Sequence, residues 1–173
     1  LVTKSAPADD AVLSKYQAYI SSAMGDIYGK LIPGGIVIDK IAKELGVQDK
    51  FELVLGKMTE FALNPQGAGL GEMKKIMVDI AAKAGVDAFA FPVVTGGKEI
   101  MTAGQKIDLY VIVYDLKTDK IQFMAKNEVI ISSLALKGAQ GDQEKLTKLA
   151  ESQILSAASD MMDKVKKDLF ESK

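Results

Sequence analysis

Four residue types are missing from this 173-residue chain: arginine, histidine, cysteine and tryptophan. Without histidine and cysteine, the chain lacks the usual nucleophile–base pairs and the common soft metal ligands. Without arginine, it lacks the planar guanidinium that holds a phosphate through two parallel hydrogen bonds. The absence of cysteine also excludes a disulfide framework, although it does not identify the redox compartment. Most common classes of enzyme site are therefore excluded.

Long hydrophobic runs and basic stripes are missing as well. No stretch of about 20 apolar residues is present, so we predict no transmembrane segment in this chain. The 22 positive charges, all lysine, intermix with 23 acidic residues and give a net charge of −1. Nucleic-acid binding needs a basic face, so we expect no nucleic-acid partner. The chain begins with Leu1, which predicts a processed or trimmed product with any signal peptide or lipid-acceptor cysteine upstream.

The residues that are present predict one folded domain. Apolar residues make up 48% of the chain, enough to fill a single sizeable core at this length. Residues 1–8 are small and polar and contain Pro7, so we interpret them as a flexible lead. No repeat or linker divides residues 9–173, which we interpret as a single α/β domain.

Apolar residues recur at intervals of three and four in most of the chain, which predicts helices. The first helix begins at Asp9 or Asp10, and Pro33 ends it. A brief helix carries Ile41 to Leu45. Three longer helices follow. A capping box at Asp49 and Glu52 predicts the first, and the apolar positions between Leu70 and Ala84 predict the second. A cap at Asp142 predicts the start of the third, a long C-terminal helix.

β-Branched and alternating segments predict the sheet. Lys106–Asp115 is apolar on both alternating sets of side chains, which is typical of a strand covered on both faces. We expect a mixed sheet of four or five strands packed with about five helices, with an α+β arrangement as the alternative. The predicted strands are Ile36–Asp39, Asp87–Thr95, Lys98–Thr102, Lys106–Asp115 and Lys120–Ser132.

The order of these elements resembles a family of bacterial envelope domains. Gly35–Gly46 is similar to a strand and helix of the TolB amino-terminal domain, and Ile80–Ala88 is similar to the helix and Val-Asp-Ala strand that follow. Tyr114–Lys120 resembles the family's Tyr-Asp-Leu-x-Thr-x-Lys segment, although Asp119 replaces its usual glycine. The group includes the curli secretion lipoprotein and the lipoprotein activators of penicillin-binding proteins. The resemblance implies an α/β domain of a lipid-anchored envelope protein that acts through protein contacts.

One set of residues is a candidate contact surface. Tyr110, Ile112 and Tyr114 share the second face of the central predicted strand. They would form a platform for a partner protein if helices covered only the other face. If helices cover both faces, the same residues are core. The adjacent Met161 and Met162 present a similar choice between a plastic binding surface and core filling.

Three other patterns invite a chemical interpretation and have a simpler one. The glycines at 67, 69 and 71 lack the spacing of a phosphate-binding loop and favour a flexible loop. Asp115, Thr118 and Asp119 gather oxygens that suit a hard cation, but they also suit a turn held by Asp115. Lys15 and Lys30 lie beside tyrosines, yet they fall on polar helix sides where a reactive amine is not expected. We therefore predict no catalytic residue, no metal ligand and no cofactor.

These considerations lead to two hypotheses of function. The first is a non-enzymatic accessory or assembly protein of the periplasm or outer membrane. It would bind a protein partner through a sheet edge such as Lys98–Thr102 or through a helical face, and the sequence leaves open whether it is a monomer or a homo-oligomer. The second is a small-molecule binding module with an apolar pocket lined by Met and Phe. An enzyme built on Asp, Glu, Lys, Ser, Thr or Tyr is disfavoured, because acid–base work near neutral pH is most often done by histidine. A cytoplasmic location is the alternative to the envelope.

Overall fold

The computed structural model describes residues 10–29, 32–64, 70–96, 106–130, 132–139 and 141–171. None of the helices in these described ranges combines the length and the apolar character that crossing a membrane requires. The elements are, in chain order, α1 (Asp10–Tyr28), α2 (Gly35–Glu44), α3 (Gln48–Leu63), α4 (Met73–Ala84), β1 (Ala88–Gly96), β2 (Lys106–Asp115), β3 (Lys120–Ile130), α5 (Ser133–Ala139) and α6 (Gln143–Glu171).

The three strands form one antiparallel sheet in the order β1-β2-β3. β2 lies in the centre, and both of its alternating side-chain sets are buried from Leu109 to Tyr114. This confirms the prediction that β2 is covered on both faces. Val113 is opposite Phe123 and Tyr114 is opposite Ile121, so Gln122 is an extra residue that makes a bulge in β3.

Helices cover the two faces of the sheet and create two apolar cores. One core lies between the sheet and helices α1 and α6; the other lies between the sheet and helices α2, α3 and α4. The strands supply alternate residues to the two cores, as the two-residue period of a strand requires. The first core receives Val94, Ile107, Leu109, Val111, Val113 and Val129, and the second receives Phe89, Phe91, Val93, Tyr110, Ile112 and Tyr114.

A buried hydrogen bond fixes α1 to the sheet. Tyr16 is fully buried, and its hydroxyl donates to the backbone carbonyl oxygen of Tyr110 at 2.9 Å. The hydroxyl needs such a partner, because burying it unpaired is costly. Burial also raises the pKa of Tyr16 well above its usual value.

Two of the predicted helix boundaries are confirmed and one is wrong. Gly85 ends α4 in the left-handed conformation at φ 69°, and Asp142 Oδ1 accepts a hydrogen bond of 3.1 Å from the Lys145 backbone N–H at the start of α6. The predicted capping box at Asp49 and Glu52 is wrong. α3 begins at Gln48, so Asp49 lies in its first turn. There the negative charge of Asp49 interacts favourably with the positive end of the helix dipole.

The predicted strand Ile36–Asp39 is wrong, since these residues form the first turns of α2. Three consecutive β-branched residues favour a strand locally, but a helix buries Ile38, Ile41 and Ala42 together on one face. Ile36 is left 89% exposed. Packing of the helix face against the second core therefore overrides local propensity.

The predicted α/β class is confirmed, whereas the mixed sheet of four or five strands is not confirmed. In the part of the chain that the structure describes there are three strands, and all neighbouring pairs are antiparallel. Two predicted segments, the strand Lys98–Thr102 and the lead 1–8, lie outside the described residues. The predicted loop Lys137–Gly141 overlaps α5, which the Ser132 hydroxyl caps by accepting a 3.2 Å hydrogen bond from the Ala135 N–H.

Candidate interaction site at the sheet edge

The candidate platform of Tyr110, Ile112 and Tyr114 lies inside the second core. Each of the three residues is buried, and the Tyr114 ring stacks on Phe61 of α3 with ring centroids 6.3 Å apart. Helices cover this strand on both faces, which is the condition under which the sequence predicted core. Met161 and Met162 are likewise buried against the sheet. The surface available to a partner must be sought elsewhere.

The acidic turn after β2 is held by its own backbone. Asp115 Oδ1 accepts hydrogen bonds from the N–H groups of Lys117 at 2.7 Å and Thr118 at 3.3 Å. Asp119 has a positive φ of 56°, and its Oδ1 accepts the Tyr114 hydroxyl at 2.7 Å. These oxygens therefore stabilise a turn. No group of three acidic side chains in the described ranges is arranged to hold a metal ion.

The remaining sequence candidates are placed without bringing reactive groups together. Lys15 pairs with Glu151 across α1 and α6 at 2.6 Å, on the solvent side. Gly71 adopts a positive φ of 56° before α4, with Glu72 at the cap position. Lys30, Gly67 and Gly69 lie outside the described residues.

A small cleft lies at the outer edge of β1. It has a volume of about 60 Å³ and contains side chains of the types predicted for an apolar pocket, including Met24, Phe51, Phe89 and Phe91. Ligand sites for drug-sized molecules usually measure about 300 to 1,000 Å³, so this cleft is several times too small for such a ligand. The cleft has the types of side chain that the small-molecule hypothesis predicts, but it is too small for such a ligand.

The same cleft shows that the edge of β1 is protected. Ile32 and Pro33, which precede α2, and Gly35, its first residue, line the cleft together with residues 88–92 of the strand. A Cβ atom at Gly35 would lie 1.7 Å from Gln17 Nε2, at the end of a flexible side chain, which shows how closely the start of α2 approaches α1. Pro92 adds a second protection, because it has no N–H to offer to an incoming strand. β1 is therefore poorly suited to pairing.

Two observations determine which backbone groups of β3 face outward. The Glu128 N–H donates to the Asn127 side-chain oxygen at 2.8 Å, so it is not bonded to β2. Pro92 has no N–H to donate, so its backbone fits best facing away from β2. Pro92 lies opposite Val111, so Val111 directs its backbone groups towards β3. Val111 in turn lies opposite Ala125. Backbone groups alternate along a strand, so both observations indicate that Ala125 and Asn127 bond to β2. The outward residues are Met124, Lys126, Glu128 and Ile130.

These four residues form the outer edge of β3. Among the described residues, no strand pairs with this edge. Unpaired N–H and C=O groups along a strand form a template for another strand. The bulge at Gln122 limits the regular part of the edge to residues 123–130. We call this segment, from Phe123 to Ile130, the β3 edge.

Side chains of the outward residues carry a compact set of opposite charges. Lys126 Nζ lies 3.3 Å from Asp108 Oδ2 and 3.8 Å from Glu128 Oε1, and it sits 5.3 Å from the centre of the Tyr110 ring. Lys106 pairs with Glu128 and lies 3.6 Å from Asp108 Oδ1. Lys126, Glu128 and Ile130 are exposed on this face, and Ile130 retains 59% of its surface accessible.

The two lysines of this charge cluster remain protonated at neutral pH. A hydrogen bond to Glu128 raises the pKa of Lys106. Partial desolvation lowers the pKa of Lys126, but hydrogen bonds to Asp108 and Tyr110 outweigh it, so that the net effect raises this pKa. A Schiff-base nucleophile requires the neutral amine, so both shifts run against amine chemistry. The cluster is suited to charge recognition.

The other face of the β3 edge forms a groove with α6. Asn127 Nδ2 donates to the backbone carbonyl oxygen of Ala157 at 2.8 Å, which fixes the strand to the helix. The groove has a volume of about 430 Å³, and its α6 side is formed by small and polar side chains: Gln153, Ser156, Ala157 and Asp160. It is an open, polar surface next to the β3 edge.

Sequence reasoning missed this site because the identity of the edge strand depends on the pairing order. The sequence signal that was available is Pro92. A proline in a strand favours an edge position, and once the register is known it indicates which backbone groups of each strand face the neighbouring strand. The predicted edge at Lys98–Thr102 lies outside the described residues.

Comparison of this chain with protein-family models, with curated proteins and with solved structures gives no match. The resemblance to the TolB amino-terminal domain therefore stays a prediction.

Proposed function

We propose that this chain is a non-enzymatic accessory or assembly component of a bacterial cell envelope and that it binds a protein partner through the β3 edge. The observation that carries the proposal is the row of outward backbone groups at Met124, Lys126, Glu128 and Ile130, beside an exposed charge cluster. Adding a strand to such an edge gives affinity through main-chain hydrogen bonds and specificity through alternate side chains.

The chemistry of the described residues supports a binding role over catalysis. The chain has no histidine or cysteine, and the titratable groups at the open edge are paired with opposite charges. The envelope location is supported by the resemblance of Gly35–Gly46, Ile80–Ala88 and Tyr114–Lys120 to the TolB group. Cell fractionation tests that location, and recovery of the native protein only from the cytoplasm would contradict it.

A strand-blocking variant tests the binding site. Lys126→Pro removes an outward N–H while leaving the bonds of β3 to β2 in place, in the way that Pro92 does in β1. Lys126→Thr is the matched control, because it removes the same charge but keeps the N–H and a residue suited to strands. Both variants are used as bait in an envelope extract beside the unchanged protein.

We expect the same partner to be recovered with the unchanged chain and with Lys126→Thr, and to be lost with Lys126→Pro. Circular dichroism and a melting curve confirm that Lys126→Pro is folded. Equal recovery by the folded Lys126→Pro protein would show that the partner does not use the β3 edge.

A further inference from the structure

We propose that the β3 edge also binds a second copy of this chain, with the two β3 strands antiparallel about a twofold axis at Asn127. This inference rests on the proposed function, because it uses the same edge and names one of its occupants. In terms of the described strands, it joins the two three-stranded sheets into one sheet of six strands. Such a pairing is isologous: each residue contact occurs twice.

Backbone geometry restricts the register. In an antiparallel pair, outward residues must lie opposite outward residues so that each pair exchanges two hydrogen bonds. A twofold axis at Asn127 places Met124 opposite the partner's Ile130 and Lys126 opposite the partner's Glu128. With the two symmetry-related pairs, this register forms about eight backbone hydrogen bonds between the strands.

Charge selects this register from its neighbours. An axis at Lys126 would put two lysines directly opposite each other, and an axis at Glu128 would put two glutamates opposite each other. Like charges in that position are destabilising. The axis at Asn127 instead pairs lysine with glutamate twice. It also gives each Glu128 a lysine on both sides, since Lys106 already contacts it within the chain.

Apolar contacts agree with the same register. Ile130 is 59% exposed in the single chain, and the axis at Asn127 brings it against the partner's Met124. On the α6 side, Ala125 meets the partner's Val129 and the two Asn127 residues face each other. α6 presents small and polar residues beside the strand, including Ser156 and Ala157. We therefore expect little steric hindrance between the α6 helices of the two copies.

Pairing requires one hydrogen bond within the chain to be exchanged. The Glu128 N–H leaves the Asn127 side-chain oxygen and donates to the carbonyl oxygen of the partner's Lys126. Asn127 keeps its bond to Ala157 through Nδ2. Because one bond is exchanged and the edge is only eight residues long, we expect a reversible dimer with a dissociation constant of roughly 10 to 100 µM, within the range of small interfaces.

Charge reversal provides a test that is specific for the register. Lys126→Glu places glutamate opposite the partner's Glu128, and Glu128→Lys places lysine opposite the partner's Lys126. Each variant alone therefore carries two repulsive pairs. An equal mixture of the two variants restores two attractive pairs, and so does the double variant Lys126→Glu/Glu128→Lys. Lys50→Glu, on an exposed position of α3, is the control for an equal change of charge.

Sedimentation velocity from about 1 µM to about 1 mM covers the relevant affinities. The 18.6 kDa chain and Lys50→Glu are expected to dimerise, whereas each single variant at the edge binds itself at least about tenfold more weakly. The mixture and the double variant are expected to recover the dimer. Circular dichroism establishes that every variant is folded.

Three results would overturn self-pairing: an unchanged chain that stays monomeric over the whole range, a dimer that tolerates both single reversals, or a mixture that fails to associate. Binding of a different protein, blocked by Lys126→Pro, would then leave the proposed function intact. Loss of both the dimer and every Lys126→Pro effect would remove the proposed function as well.

Discussion

The buried Tyr16 hydroxyl provides a quantitative test of how α1 is fixed to the sheet. Tyr16→Phe removes the 2.9 Å hydrogen bond to the Tyr110 carbonyl oxygen and changes little else. Tyr110 lies opposite Val93 in the register, and the hydrogen-bond phase inferred from Pro92 directs the Tyr110 carbonyl towards β1, so we expect it to keep a partner. The expected loss is therefore the net value of one hydrogen bond, about 1 kcal/mol in the free energy of unfolding.

Tyr16→Ala is expected to cost several times more. The ring is fully buried in the core formed with α6, and its removal leaves a cavity that the surrounding helices fill only in part. Aromatic-to-alanine changes in such positions cost about 3 to 5 kcal/mol. Tyr28→Phe is the control, because Tyr28 is 43% exposed and its change is expected to stay within about 0.5 kcal/mol.

Urea unfolding followed by circular dichroism measures all three variants. The Tyr16→Phe loss corresponds to a fall in melting temperature of about 2 to 4 °C for a domain of this size. A Tyr16→Ala protein that loses no more stability than Tyr28→Phe would show that α1 does not pack on the sheet as described. A Tyr16→Phe protein as stable as the unchanged chain would refute the contribution of the hydrogen bond.

Two further predictions concern pH and backbone conformation. Desolvation and the hydrogen bond to Asp119 raise the pKa of Tyr114 to about 12, against about 10 in the unfolded chain. The neutral Tyr114 hydroxyl therefore stabilises the fold fully below pH 10, and this contribution is lost as the pH rises towards 12. Tyr114→Phe should make the fall in stability above pH 10 less steep, and an unchanged slope in urea titrations would contradict this. Gly85 ends α4 at φ 69°, so Gly85→Ala should destabilise the protein by about 1 kcal/mol, whereas Gly56→Ala inside α3, where an added Cβ meets nothing, should stabilise it. Equal melting temperatures for the two glycine variants would contradict that contrast.

Elements with a clear hydrophobic period were predictable from the sequence. The three- and four-residue spacing in α1, α3, α4 and α6 gives one buried face in each helix, and the doubly apolar β2 could only be a central strand. These patterns report directly on burial, which is the dominant favourable contribution to folding.

The rest depended on contacts between distant parts of the chain. Ile36, Val37 and Ile38 favour a strand by local propensity, but the second core accepts a helix face there. Lys126 and Glu128 look like ordinary surface residues in the sequence. Their significance follows from the position of β3 at the outside of the sheet and from the phase of its hydrogen bonds. The residues of β3 encode neither, and Pro92 of β1 reports the phase only once the register is known.

Amide hydrogen exchange, followed residue by residue by nuclear magnetic resonance, tests the open edge most directly. In dilute protein, the outward N–H groups of Met124, Lys126 and Ile130 are expected to exchange much faster than the inward N–H groups of Ala125 and Val129. At concentrations where the chain associates, or with a captured partner, the outward groups are expected to become protected. Outward groups already protected in dilute protein, or still unprotected in the complex, would contradict the assignment of β3 as the binding edge.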